Sequence, residues 1–293
     1  MPKSYAIPPA PPWQAALIFA GTSLLFFFSL YFVLPLLRER NVSWFACFNL
    51  VLALPMFLLV GLALAACARE HSPDSPSLRD RLRLGRMGIS SWIWTVGLTV
   101  FMVGSRYANF IAFCAVVVAV NKDRNLTRQQ RWRFVAGVAA FLALAWALGQ
   151  TRPYFDTVPL HTLPPTFQQF WAHLTAVDNF MGLRLKGQWW IALYYAFVLL
   201  FANIAGEELW WRGYLLPRQE LASGSIAWLY HGVFWAAFHL PFYGTAWGLL
   251  HMVPTCCALA FVAQHRKSTW PGMIAHTAGN MGVLIGIIRG VAA

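Results

Sequence analysis

Residues 13–37, "WQAALIFAGTSLLFFFSLYFVLPLL", run for 25 positions without a charge. About 20 apolar residues in a helix cross the hydrocarbon core of a bilayer. Residues 43–68 supply 26 more uncharged positions. Neither block alternates as a barrel strand would, and a helix satisfies its own backbone in lipid. Working outward, further apolar blocks fall at 90–120, 133–149, 188–216, 225–242, 245–264 and 271–290. The chain of 293 residues is 59% hydrophobic and 11% charged, against about a quarter charged in soluble proteins. The fold class is all-α, a polytopic transmembrane helical bundle of eight or nine crossings. The reading treats 1–293 as a single membrane-embedded domain, with core helices at 188–290 and a polar loop at 150–187 that carries an amphipathic surface piece.

The formal net charge of +12 does not mark a nucleic-acid binder. The basic residues sit in short connections, "RDRLRLGR" at 79–86 and "KDRNLTRQQRWR" at 122–133, as the positive-inside rule expects. The block at 90–120 has two readings. A hairpin at Gly104-Ser105-Arg106 keeps both flanking basic loops in the cytoplasm and gives nine crossings. A single tilted helix gives eight and breaks the charge rule once. Arg218, Arg266 and Lys267 place the 217–224 and 265–268 loops on the cytoplasmic side. The first apolar block is too long for a removable signal peptide and lacks a cleavage site. Eighteen arginines against four lysines point to a GC-rich bacterial source, hence to a bacterial inner membrane. The five cysteines lie in apolar blocks without CxxC spacing, which excludes a disulfide framework or a zinc–thiolate centre.

Ten residues are acidic. Seven lie in polar connections and Glu220 lies just past the end of its helix. Glu207 and Glu208, in "FANIAGEELWWRGYLLPR" at 201–218, fall inside a membrane-length apolar run. An acid there is a functional-site candidate because its charge is expensive in lipid. Glu208 and Arg212 are i,i+4 partners on one helix face, and an ordinary structural ion pair would account for them. Glu207 points about 100° away and needs a partner from another helix. His71, His161, His173 and His265 are loop residues without a signal. Among the apolar histidines, His239 stands in "FWAAFHLPFY" just before Pro241. His276 and Asn280, in "TWPGMIAHTAGN", share a helix face and offer two hydrogen-bond donors to one point. Counted from the cytoplasmic ends, Glu207 lies about 15 Å deep, His239 about 20 Å and His276 about 9 Å. Three helices thus bring polar groups to one part of the membrane. Gly282, Gly286 and Gly290 form a small-residue row suited to helix packing.

HExxH, GxSG and GxGD signatures are absent. "EELWWR" resembles the EExxxR motif of the CAAX-protease and bacteriocin-processing family of intramembrane proteases, "WAAFH" its FxxxH motif and "HTAGN" its HxxxN motif, in the family's order. The resemblance spans about 190–285. Trp235 stands where phenylalanine is usual, an aromatic exchange expected to leave the mechanism intact. The resemblance implies an endopeptidase in which Glu207 and His239 activate water, His276 and Asn280 stabilise the oxyanion, and Glu208 with Arg212 support the site. It implies prenylated C-terminal motifs as substrates in eukaryotes, and leader peptides or membrane proteins in bacteria. The expected partners are the bilayer and a peptide substrate, without nucleic acid.

No cofactor is expected. The alternative is a catalytic zinc held by Glu207, His239 and His276. It is disfavoured because a zinc-bound histidine needs an acceptor for its other nitrogen, and Arg212 already claims Glu208. Two other functional classes share these features: a non-catalytic scaffold or bacteriocin-immunity protein, and a proton-coupled transporter, since buried Glu and His also relay protons.

Overall fold

The computed structural model describes residues 7–70, 75–104, 114, 117, 118, 120, 121, 127–175 and 177–293. It is a helical bundle. Among the described residues six helical stretches are long and apolar enough to cross a membrane. The first two are α1 (Pro12–Glu39) and α2 (Trp44–Arg69). A shorter apolar helix, α3 (Ile89–Val103), and the span α4 (Arg128–Gln150) follow. The choice between eight and nine crossings turns on residues 105–126, most of which lie outside the described residues.

The block at 188–216 is longer than its apolar pattern suggests. Helix α6 runs from 189 to 223, with π-helical turns at Tyr195–Leu200 and Glu208–Leu215. Its last turns, Leu216–Ser223, take up most of the expected 217–224 loop, so Glu220 is helical. The chain reverses at Gly224, whose φ of 60° suits a residue without a side chain. Helix α7 (Ala227–Phe238) then runs back, ends at His239 and passes into a 3-10 turn over Leu240–Phe242. Helices α8 (Ala246–Arg266) and α9 (Trp270–Ala292) complete the bundle.

The polar region 150–187 is more structured than a loop. It contains α5 (Pro165–Thr175) and a hairpin of β1 (Asn179–Phe180) with β2 (Leu183–Arg184). Phe167, Phe170, Phe180 and Leu185 are buried there in one cluster with Leu30, Phe48, Leu199 and Ile287. This cap therefore packs on α1, α2, α6 and α9.

Helix α6 packs against α2, α7 against both α1 and α8, and α9 against α3 and α8. Helix α1 shows the two-faced logic of a lipid-bathed bundle. Ala15, Phe19, Thr22 and Phe26 face the core, while Leu17, Leu24, Phe28 and Phe32 are exposed. Both faces are apolar, as expected where the outer face meets acyl chains. Phe19 stacks on Trp211 with centroids 4.0 Å apart, which pins α1 to α6. Among the described residues the row Gly282–Gly286–Gly290 does not make the expected helix contact. Gly282 and Gly286 face open space, and Gly290 meets the cap at Val177 and Leu185.

The edge of the bundle read as cytoplasmic is tied by charges that the charge rule alone does not anticipate. Glu70, at the end of α2, pairs with Arg81 at 2.7 Å and with Arg218, and accepts from Tyr214 Oη at 3.1 Å. Glu220 takes Arg83 bidentately at 2.5 and 2.9 Å and also pairs with Lys267. Thr269, the residue before α9, does not cap the helix with its side chain; its hydroxyl donates to the Leu82 carbonyl at 2.8 Å. The segment 81–84 is thereby sewn to α2, α6 and α9.

Candidate active site

Three elements meet at the site. Helix α6 brings Glu207, Glu208 and Arg212. The C-terminal end of α7 brings His239. Helix α9 brings His276 and Asn280, one turn apart. All six residues named from the sequence converge, and a seventh, Trp235, joins them.

The two glutamates part as helical geometry requires. Glu208 is fully buried, and its Oε1 lies 3.2 Å from Arg212 Nη1 and 3.0 Å from His276 Nδ1. The ion pair is real but poorly aligned, because the three Arg212 nitrogens make no well-directed hydrogen bond among the described residues. The guanidinium instead lies over the Trp235 ring, 3.4 Å from its centroid, a cation–π contact that desolvation strengthens. Glu208 reaches α9 only because residue 272 is glycine. A Cβ there would collide with Glu208 Oε2.

Glu207 turns to the other side, towards a cavity of about 480 Å³. Its Oε2 accepts a hydrogen bond from Trp235 Nε1 at 2.7 Å and lies 3.9 Å from His239 Nε2. His239 is oriented by its other nitrogen, with Nδ1 2.8 Å from the Trp235 carbonyl. His276 is oriented in the same way by Glu208. In each ring Nδ1–H donates to that partner and Nε2 is left facing the cavity, an assignment made from the partners. Asn280 Nδ2 donates one hydrogen to the His276 carbonyl at 3.1 Å, so its second hydrogen is left for a ligand. Glu207, His239, His276 and Asn280 all line the cavity, whose remaining wall is largely apolar and includes Phe48, Tyr195, Leu199 and Val283.

Several participants escaped the sequence reading. Trp235 is not interchangeable with phenylalanine, because its N–H bonds the Glu207 carboxylate. Asn203, one turn before Glu207 on the same helix, also lines the cavity. A polar residue i−4 from a buried acid in an apolar run was the available signal. His161, read as an ordinary loop residue, lies 2.9 Å from the Leu240 carbonyl and 3.1 Å from Tyr31 Oη. It holds the cap against the turn that follows His239. His231 is fully buried and paired with Gln219 at 2.5 Å.

The zinc alternative meets a mixed result. The expected lack of a second acceptor does not hold, since Glu208 serves Arg212 and His276 together and the Trp235 carbonyl serves His239. Yet the described residues form no group of three His, Cys, Asp or Glu side chains that could hold a metal ion. The Glu207 oxygen nearest His239 is already taken by an indole N–H. The arrangement is not a ready ligand set.

No curated protein and no solved structure matches the chain. Residues 188–282, the segment that holds all seven of these side chains, match the family described as Rce1-like, type II CAAX prenyl endopeptidase Rce1-like, which bears out the motif resemblance over that segment.

Proposed function

We propose that the chain is an intramembrane endopeptidase in which Glu207 and His239 activate a water for attack on a peptide carbonyl. The observation that carries this reading is the meeting of Glu207 Oε2 and His239 Nε2, 3.9 Å apart, in a cavity that also receives His276 and Asn280. That gap is too long for a direct hydrogen bond, so the two side chains face the cavity without closing on each other. Glu207 takes a proton from the water as the new C–O bond forms, the work of a general base. The carbonyl oxygen becomes an oxyanion. His276 Nε2–H, with its ring charged and Nδ1–H on Glu208, and the free Asn280 N–H donate to it. Donors already aimed at the developing charge lower the barrier without reorganising. Glu207 or His239 then returns a proton to the leaving amine as the C–N bond breaks. Arg212 holds Glu208 in place.

The substrates proposed are membrane-associated peptides, with prenylated C-terminal motifs and leader peptides as the two classes. The apolar wall of the cavity supports a lipid-modified or hydrophobic segment. The location proposed is a bacterial inner membrane, with the Glu70 and Glu220 clusters at the cytoplasmic face. The test is terminal proteomics of membranes carrying wild-type or Glu207→Gln protein. Peptide termini present only with the wild type support the reading. Identical termini in both membranes would favour the scaffold or transporter class.

A further inference from the structure

Among the described residues, the hydrogen bond drawn to the Glu207 carboxylate comes from Trp235 Nε1, at 2.7 Å. The indole nitrogen can only donate, so Oε2 is committed as an acceptor. Oε1 is in a different position. It has no protein partner among the described residues and is not sealed from the cavity, whereas Glu208 Oε2 is sealed. The carboxylate thus has one tethered oxygen and one open one.

The tether is itself held. Trp235 is buried, and Arg212 covers one face of its ring at 3.4 Å. The ring meets His239 and His276 edge-on, with centroids 5.4 and 5.5 Å away. Its backbone carbonyl orients His239. One residue therefore touches the base, both histidines and the supporting arginine. A phenylalanine would keep the ring contacts and the carbonyl, but it has no N–H for Glu207.

We propose that Trp235 is a positioning residue for Glu207, in which the indole N–H fixes Oε2 and turns Oε1 to receive the proton of the attacking water. This rests on Glu207 being the base. The N–H bond to a carboxylate is charge-assisted, stronger than a neutral one, and it replaces the solvation that a buried carboxylate gives up. It acts on the rate through the orientation of the base and not through contact with substrate.

The test separates the N–H from the ring. Position 235 in the full-length protein is replaced by 3-benzothienylalanine, a bicycle of nearly the same shape with sulfur for N–H, and separately by phenylalanine. Cleavage is followed in liposomes with a fluorogenic peptide bearing a prenylated C-terminal motif. For the isostere, kcat is expected to fall about tenfold, the worth of one such hydrogen bond. KM should stay within about twofold of wild type and thermal unfolding should be unchanged. Trp235→Phe should lose at least as much. An isostere with wild-type kcat overturns the proposal, and so does a loss of kcat matched by a rise in KM or a drop in unfolding temperature. Glu207→Gln measured in parallel keeps the two readings apart. If it turns over normally, the assignment of the base has failed. If it is inactive while the isostere is normal, only the role of Trp235 has.

Discussion

Two pairs of acids in this bundle, Glu70 with Glu220 and Glu207 with Glu208, are treated in opposite ways. At the edge read as cytoplasmic, Glu70 and Glu220 each meet two cations. They close the ends of α2 and α6 and the segment 81–84 into one charged seam. In the site, two acids share one arginine. Glu208 has it, together with His276, while Glu207 has an indole N–H and a histidine 3.9 Å away. The edge is neutralised for holding, whereas the site leaves one carboxylate under-neutralised beside a cavity. Buried charge that the protein does not satisfy needs an explanation beyond stability, and a water-activating base supplies one.

The sharpest break of this contrast is Glu207→Gln. It keeps the shape and a hydrogen-bond acceptor for Trp235, so folding and membrane yield should match wild type. Cleavage should fall by about 10³-fold or more, within the range that general-base catalysis supplies. Near-normal turnover by purified protein would remove Glu207 from the mechanism.

Glu208→Gln should be the more damaging change to the molecule itself. It leaves Arg212 buried without its counter-charge, which costs about 3–5 kcal/mol, and it loosens His276. Lower unfolding temperature and lower activity are expected together. Activity lost with full stability would mean that Glu208 belongs to the chemistry and not to its support.

Asn280→Ala should lower kcat about 100-fold, as for loss of one oxyanion donor, with KM little changed. A purely elevated KM would recast Asn280 as a substrate-binding residue.

At the edge, Glu220→Gln should cost about 1 kcal/mol, in keeping with a partly exposed ion pair, and leave kcat unaltered. A large loss of turnover there would show that the two regions are coupled. The smallest expected effect is that of a chelator, which should leave activity unchanged in protein that elemental analysis finds without stoichiometric zinc. Near one zinc per chain, with activity lost on chelation and restored by zinc, would make Glu207, His239 and His276 ligands.

Much of the site was legible because helical arithmetic is strict. Glu208 and Arg212 at i,i+4, Glu207 about 100° away, and His276 with Asn280 one turn apart required no knowledge of packing. The helical, membrane-spanning class followed from residues 13–37 and 43–68 for the same reason, since lipid leaves the backbone few alternatives. What escaped were contacts between elements far apart in sequence. Trp235 reads as one aromatic among many until its nitrogen is found beside Glu207. Arg81 and Arg83 read as topology signals until they meet Glu70 and Glu220. The cap at 165–185 reads as polar because its buried residues, such as Phe170 and Phe180, are spaced too irregularly to form an apolar run. The end of α6 was misplaced because Arg218 and Glu220 look like loop residues, although neutralisation by Glu70, Arg83 and Lys267 lets the helix continue.

The glycine at 272 has a consequence for reading variants. The carboxylate of Glu208 occupies the volume that any other side chain at 272 would need. A single added methyl group there, the mildest change a codon can make, would press on Glu208 Oε2, the oxygen without a hydrogen-bond partner among the described residues, and the carboxylate would have to turn between its arginine and its histidine to make room. Removing the whole ring of an exposed aromatic such as Trp13 or Phe197 would disturb only lipid. Where a substitution only adds or removes bulk, the harm in this molecule follows the room available at the position and not the number of atoms changed.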